Sequence, residues 1–164
     1  MTTALYTHPD CLNHTTPSGH PEQVARLEYI AEALSRFDAL DRREAPICDD
    51  ADILLCHPPE YLQRITQANP VTGYCALDGD THMAPGTLVA AKRSVGGGIA
   101  AVDAVLSGEV KNAFVACRPP GHHAEQETPM GFCLFGNAAI AARHAVERHG
   151  LSRVALVDFD VHHG

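Results

Sequence analysis

Apolar positions recur along the chain with the spacing that predicts helices. Residues 21–34 begin with a proline and carry an apolar residue every three or four positions, which predicts an amphipathic helix. Residues 87–106 are rich in alanine and predict a second, longer helix. Two short helical pieces are predicted over 50–57 and 58–68, because Pro58 and its neighbouring proline divide them.

The last third of the chain shows a different alternation. An apolar run at 113–117 predicts a buried strand, and residues 137–148 predict a helix that ends before Gly150. A second apolar run at 154–160 predicts another buried strand, and residues 4–6 predict a short one. Strand, helix and strand in succession predict an α/β fold with a parallel sheet covered by helices.

Two glycine-containing stretches interrupt this pattern. Residues 69–86 are rich in proline, glycine and aspartate and predict a long loop, a feature that is commonly functional in a compact domain. Gly96, Gly97 and Gly98 lie inside the predicted helix at 87–106. They suggest either a phosphate cradle or close packing, and packing is favoured because the strand-turn-helix setting of a phosphate loop is missing.

Composition narrows the class of protein. The apolar fraction of 45% is that of a globular chain, and no apolar run approaches the roughly 18 residues of a membrane span. The net charge is −8 without a basic cluster, which disfavours direct nucleic-acid binding and suits a cationic substrate. Six cysteines without a CxxC pair and an N-terminus without a secretory pattern predict reduced thiols and a cytoplasmic location.

Candidate chemistry first appears at the end of the predicted strand 154–160. Asp158, Asp160 and His162 alternate with apolar residues, so a strand would place all three on one face. Two carboxylates and an imidazole converging there are costly unless a cation compensates them, and they suit zinc or another divalent metal. The competing interpretation is an exposed loop that caps a helix.

A second group follows the predicted strand 113–117. His122 and His123 come directly after Pro119-Pro120-Gly121, where the prolines stiffen the turn and the glycine permits close backbone approach. A single histidine there would more often be structural, whereas a pair facing a metal site indicates ligands or a general acid/base pair. The segment 129–137 that follows reads, on composition alone, as a loop packed before a helix.

Taken together, these segments resemble the class II branch of the histone deacetylase family, which includes bacterial acetylpolyamine amidohydrolases and deacetylase-like amidohydrolases. Five ordered motifs carry the resemblance: Gly19-His20-Pro21-Glu22 with Arg26-Leu27, Asp78-Gly79-Asp80-Thr81, Arg118-Pro-Pro-Gly-His-His-Ala124, Gly131-Phe-Cys-Leu-Phe135 and Val157-Asp-Phe-Asp-Val-His-His-Gly164. The resemblance covers nearly the whole chain and implies the arginase/deacetylase type of α/β fold, a mainly parallel sheet with helices on both faces.

The resemblance also implies a ligand set. Asp160 and His162 would bind Zn²⁺, and His122 and His123 would form the general acid/base pair. Asp158 would hydrogen-bond His122 and orient it. Together with Asp160 and the backbone at His162, Asp158 would also hold a structural potassium ion.

Substrate contacts follow from the same resemblance. Gly131 and Phe132 would line a narrow tunnel for the acylated side chain. Asp80 would grip the substrate backbone at the rim, with Asp78 as the competing choice. Arg26 would lie beside an internal cavity below the metal.

The implied reaction is zinc-assisted hydrolysis of an N-acetyl amide, in acetyl-lysine peptides or in acetylpolyamines. The family's third zinc ligand and its oxyanion tyrosine are expected beyond Gly164. The 164 residues are therefore expected to be the N-terminal portion of a single deacetylase domain, with an unfinished sheet and little activity alone. Whether copies of the chain associate is left open.

Two alternatives remain at this point. A noncatalytic member that keeps zinc would be expected to lose one of His122, His123 or Asp158, and all three are present. An arginase-like hydrolase with two manganese ions needs an Asp-x-His-x-Asp pattern, which Asp160-x-His162-His163 does not provide.

Overall fold

The computed structural model describes residues 2–163, so Met1 and Gly164 lie outside the described residues. The elements follow in the order β1 (Thr3–Thr7), a 3₁₀ helix (Pro9–Asn13), α1 (Ala25–Ser35), β2 (Leu40–Glu44), α2 (Asp50–Ile53), α3 (Pro59–Ala68), β3 (Cys75–Ala76), β4 (His82–Met83), α4 (Thr87–Leu106), β5 (Asn112–Val115) and α5 (Asn137–His149). None of the helices in this range is both long and apolar enough to cross a membrane.

Three strands form the central sheet in the order β2-β1-β5, and both pairings are parallel. Leu5 of β1 lies opposite Arg42 on one side and Phe114 on the other. Parallel neighbours require crossover connections, and the helices between these strands supply them. The parallel sheet predicted from the sequence is therefore present.

Helices cover both faces of this sheet because β1 is apolar on both sides. Leu5 is buried against Leu27 of α1, whereas Ala4 and Tyr6 point the other way and pack with Ala104 of α4. Such a strand reads as a continuous apolar run rather than an alternating one. Burial of a leucine side chain contributes roughly 1.5–3 kcal/mol, so each face adds materially to stability.

Most predicted helices form close to the expected bounds, but one begins late and the piece predicted over 50–57 ends at Ile53. The helix expected from Pro21 begins at Ala25, because Glu22 is buried in an ion pair with Arg118 instead of extending the helix. The sequence did not predict β2, since Leu40-Asp-Arg-Arg-Glu44 is polar and carries no apolar run. The expected loop at 69–86 contains the small hairpin of β3 and β4.

The glycines of α4 serve close packing, as the sequence favoured. A Cβ on Gly96 would lie 2.9 Å from the backbone nitrogen of Cys48. A Cβ on Gly97 would lie 3.0 Å from Cγ1 of Val115. The helix therefore approaches the sheet and the segment after β2 more closely than any larger residue would allow.

The second buried strand predicted at 154–160 is wrong. These residues are extended but lie outside any sheet, and Phe159 is 97% exposed. Val154, Leu156, Val157 and Val161 are exposed as well. A strand needs a neighbour for its backbone groups, and no described strand lies beside this segment.

Candidate active site

Two segments of the chain meet at the candidate site. One is the turn that follows β5, with a cis peptide between Arg118 and Pro119. The other is the extended segment 151–163 after α5. The turn continues the sheet direction for one more residue, because the backbone N–H of Ala116 still donates to the carbonyl of Tyr6 at 2.9 Å. Its histidines thus emerge at the carboxyl edge of the sheet, where ligands of parallel sheets bind.

His122 and Asp158 link the two segments. Nδ1 of His122 lies 2.7 Å from Oδ2 of Asp158. The backbone N–H of Asp160, followed by the ring of His122, keeps the pKa of Asp158 below its usual value. Because an ionised carboxylate only accepts hydrogen bonds, Nδ1 of His122 carries the donated proton, and the opposite nitrogen is free to act as a base.

His123 packs beside His122, with their ring centroids 4.1 Å apart. Its backbone N–H donates to Sγ of Cys133 at 3.5 Å. A Cβ on Gly131 would lie 2.5 Å from Cδ2 of His123, and Gly131 has a φ of +56°. Gly131 therefore serves two purposes, since it permits the left-handed turn and leaves room for the imidazole.

Asp160 and His162 have a separation that fits two ligands of one zinc ion. Oδ1 of Asp160 lies 3.2 Å from Nδ1 of His162, and it accepts the backbone N–H of His162 at 2.8 Å. Bonds of about 2.0–2.2 Å in a tetrahedral arrangement place two ligand atoms roughly 3.3 Å apart. Within residues 2–163, no third carboxylate, imidazole or thiolate completes a close group with them.

A cavity of about 490 Å³ gathers most of the predicted site residues. Its lining includes Arg26, His122, His123, Gly131, Phe132 and Asp160. Asp158 lies on the far side of His122, where it lines a neighbouring cavity of about 430 Å³. His162 stands behind His123, with ring centroids 6.4 Å apart. The two sequence clusters and the glycine-containing loop are thus brought to one place.

The loop at 69–86 contacts a residue that lines this cavity. Its Thr81 hydroxyl accepts the backbone N–H of Phe132 at 3.1 Å. His20 binds the same loop, because its Nε2 lies 2.8 Å from the carbonyl oxygen of Asp80. The ring of His20 also meets the edge of the Phe132 ring at 5.0 Å. Asp80 and Phe132 are therefore positioned side by side.

The two candidate rim aspartates differ in what their carboxylates do. Oδ1 of Asp78 accepts the backbone N–H groups of Asp80 and Thr81, at 2.9 and 2.6 Å. Burial would raise the pKa of Asp78, but these hydrogen bonds outweigh it and lower that pKa. Asp78 thus shapes the turn, whereas the exposed carboxylate of Asp80 accepts the Thr81 hydroxyl at 3.1 Å and binds no backbone N–H group among the hydrogen bonds of residues 2–163.

Sequence reasoning missed the buried ion pair below the cavity. Arg118 is fully buried, and both its Nε and Nη2 donate to the carboxylate of Glu22. His14 lies 3.4 Å from the same carboxylate. Burial would raise the pKa of Glu22, yet hydrogen bonds from His14 and Arg118 bring it down to about 2. The sequence offered one indication of this pair, since Glu22 lies in the first of the five motifs and Arg118 in the third.

Side chains of α3 and its N-terminal flank hold the loop that carries Gly131. The imidazole of His57 bonds the carbonyl of Gln126 at 2.8 Å and the N–H of Gly136 at 3.0 Å. Tyr61 donates to the carbonyl of Leu134 at 2.5 Å. Neither residue was singled out from the sequence, where each reads as part of an ordinary amphipathic helix.

Arg26 reaches the cavity from α1. Its side chain is 45% exposed, and Nη2 lies 3.5 Å from Oε1 of Glu22. It therefore lies at the mouth of the buried ion pair rather than inside it.

Comparison with known proteins adds a family context. Residues 20–164 match the family described as histone deacetylase domain. The chain is 43% identical over 150 residues to a histone deacetylase-like amidohydrolase of Pseudomonas aeruginosa, covering 90% of this chain and 39% of that protein. It is 39% identical over 176 residues to the polyamine deacetylase HDAC10 of Homo sapiens, covering 26% of that protein.

A solved structure shows the same architecture. The crystal structure of the HDA15 HD domain matches with a TM-score of 0.91 at 28% identity, over 99% of this chain and 48% of that one. The chain therefore spans about half the length, or less, of these proteins. The match confirms the predicted fold class, a mainly parallel sheet with helices on both faces that is incomplete over these residues.

Proposed function

This chain belongs to the histone deacetylase family, and we propose that it supplies the acid/base half of a zinc-dependent deacetylase site. One observation carries the proposal. The carboxylate of Asp158 binds His122, His123 packs against His122, and Asp160 lies on the same cavity. These are the groups that amide hydrolysis by activated water requires.

The proton carriers are His122 and His123. Asp158 accepts a hydrogen bond from Nδ1 of His122 and thereby fixes the tautomer in which Nε2 is a base. That nitrogen would take a proton from the attacking water, and the pair would return a proton to the leaving amine. Asp158 acts through His122 and is a positioning residue.

Asp160 and His162 would hold the zinc ion, because their ligand atoms have the spacing that one ion requires. Bound zinc would polarise the acetyl carbonyl and lower the pKa of the attacking water. A structural potassium ion near Asp158 and a cytoplasmic location stay predictions.

The substrate class we propose is an N-acetylated amine whose acetylated nitrogen is carried on a slender alkyl chain. Gly131 and Phe132 line the cavity and would contact that chain on two sides. The exposed carboxylate of Asp80 would bind the substrate backbone. The acidic net charge of −8 suits a cationic amine product. One relative is named a histone deacetylase-like amidohydrolase and another a polyamine deacetylase, so both acetyl-lysine peptides and acetylpolyamines are tested as substrates.

The test is hydrolysis of an acetyl-lysine peptide and of an acetylated diamine by the complete protein. His122→Ala and His123→Ala are each expected to lower kcat at least roughly 100-fold, the usual worth of a general acid or base. The matched control is His8→Asn, since His8 caps the 3₁₀ helix away from the cavity and asparagine also caps well. Full activity of both alanine variants would exclude the proposed chemistry.

A further inference from the structure

A second group of metal-ligand side chains lies between α4 and α5. Asp103 of α4 faces His144 and His149 of α5. Nε2 of each histidine lies 2.6 Å from Oδ1 of Asp103. The three ligand atoms all lie within 4.8 Å of one another, and none of the three residues lines the cavity of the candidate active site.

The packing of α4 on α5 brings these groups together. His144 and His149 are five positions apart, which is about 140° around a helix with 3.6 residues per turn, so their rings reach Asp103 from two sides. Their ring centroids are 5.4 Å apart. Both rings point Nε2 at the same oxygen atom of Asp103, at 2.6 Å, and a bound zinc ion would require these contacts to open to roughly 3.3 Å.

His144 is the unusual member of the group. It is only 8% exposed, and its Nδ1 has no hydrogen-bond partner among residues 2–163. Within the described part of the chain, the hydrogen bond at Nε2 is the only one that this buried ring makes. An ordinary core position would favour an apolar residue, because an unpaired buried nitrogen costs free energy.

The carboxylate is available as a ligand at neutral pH. An ordinary aspartate is ionised at this pH, and a bound ion would replace the hydrogen bonds that His144 and His149 now make to Asp103. His149 has a side chain that is 29% exposed and that of Asp103 is 49% exposed, so one side of the group opens to solvent. An ion could enter there and keep water in its remaining positions.

From this geometry we propose that Asp103, His144 and His149 bind a late first-row divalent cation, with Zn²⁺ as the physiological ion. Two imidazole nitrogens and one carboxylate oxygen form a mixed set that zinc accepts readily and that harder ions such as Mg²⁺ do not prefer. The ion would link α4 to α5 and is independent of the proposed deacetylase site. No reaction is assigned to it.

The test is Zn²⁺ titration of the metal-free complete protein, in competition with a chelating dye. His149→Gln and Asp103→Asn are each expected to remove one zinc equivalent, or to weaken it roughly tenfold or more, since even indirect ligand partners are worth 10–100-fold. Arg148→Gln is the matched control, because Arg148 precedes His149 in the last turn of the same helix. His162→Ala is expected to leave this zinc equivalent in place.

The location is checked by the ring nitrogen signals of the histidines in ¹H–¹⁵N spectra. Zinc is expected to shift the signals of His144 and His149 together, with the same titration midpoint. If His149→Gln and Arg148→Gln bind zinc equally, or if these two rings do not respond, Asp103 merely accepts two hydrogen bonds and the proposal is wrong. Should Asp103→Asn fail to fold by circular dichroism, the partly exposed His149→Gln decides the matter.

Discussion

The two segments that form the candidate active site are held in very different ways. The turn and loop at 118–137 are anchored by a buried ion pair, by His57 and Tyr61, and by α5. Residues 152–163 are exposed, and the hydrogen bond from His122 to Asp158 is the only one from a side chain that joins the segment 151–163 to the other residues that the structure describes. The proposed acid/base pair therefore lies on a well-anchored segment, whereas the two proposed metal ligands lie on a segment that a single side-chain hydrogen bond ties to it.

The first prediction removes the support of the rigid segment. Arg118→Met leaves the Glu22 carboxylate buried without its main partner, and this is expected to cost about 3–5 kcal/mol in the free energy of unfolding. Arg26→Met is the matched control, because Arg26 pairs with the same carboxylate from a 45% exposed side chain and is worth at most about 1 kcal/mol. Denaturant titration of both variants measures the difference, and equal losses would show that burial does not matter here.

The second prediction concerns loss of the ion pair between Glu22 and Arg118 at low pH. Glu22 has a pKa near 2 in the folded chain against 4.5 for an ordinary glutamate, so its ionised form stabilises the fold above pH 4.5. That contribution, about 3 kcal/mol from the shift, is lost as the pH falls from 4.5 towards 2.

The measurement is the free energy of unfolding of the wild-type chain and of Glu22→Gln between pH 6 and pH 2. The wild type is expected to lose stability more steeply than the variant in the acidic part of that range, because only the wild type must protonate Glu22 to unfold there. Parallel curves for the two proteins would show that other carboxyl groups account for the acid sensitivity.

A third prediction separates backbone strain from contact with His123. Gly131→Ala forces alanine into a left-handed conformation, at about 1–3 kcal/mol, and also drives its Cβ into the imidazole of His123. Gly108→Ala carries the same type of strain at a φ of +80°, but no atom lies within 4 Å of its Cβ. Both variants are expected to lose stability, whereas only Gly131→Ala is expected to lose deacetylase activity; equal activities would remove Gly131 from the site.

The same contrast explains which parts of the molecule could be predicted from the sequence. The helices, β1 and the histidine turn follow from local patterns, and each of those patterns is satisfied by neighbours within the described chain. The apolar run at 154–160 has an equally clear strand pattern, but no described strand pairs with it. Periodicity reports what a segment can form, and a partner decides whether it forms.

Polar contacts over long sequence distances were less accessible. Glu22 and Arg118 are 96 positions apart, and neither spacing nor composition indicates that their side chains meet. Asp103 and His144 are 41 positions apart and meet only because α4 packs against α5. The pairing of His122 with Asp158 was expected only through a family resemblance, and the atoms are indeed in contact, although their catalytic roles stay predictions.

The last prediction concerns loss of the hydrogen bond between His122 and Asp158, which joins the two segments. This loss is expected to have the smallest effect on the fold. Asp158→Asn replaces the accepting carboxylate at His122 with an amide that can present a donor instead. The midpoint of global unfolding should hardly change, because Asp158 and the residues around it are exposed. Hydrogen exchange of the backbone amides should instead become faster within 154–163, and kcat should fall about 10–100-fold, as for other groups that orient a reacting residue.

Asp38→Asn, at an exposed aspartate outside both segments, is the control for charge loss. If exchange at 154–163 is unchanged while kcat falls, Asp158 orients His122 without holding the metal-ligand segment in place; if neither changes, the two segments do not depend on this contact.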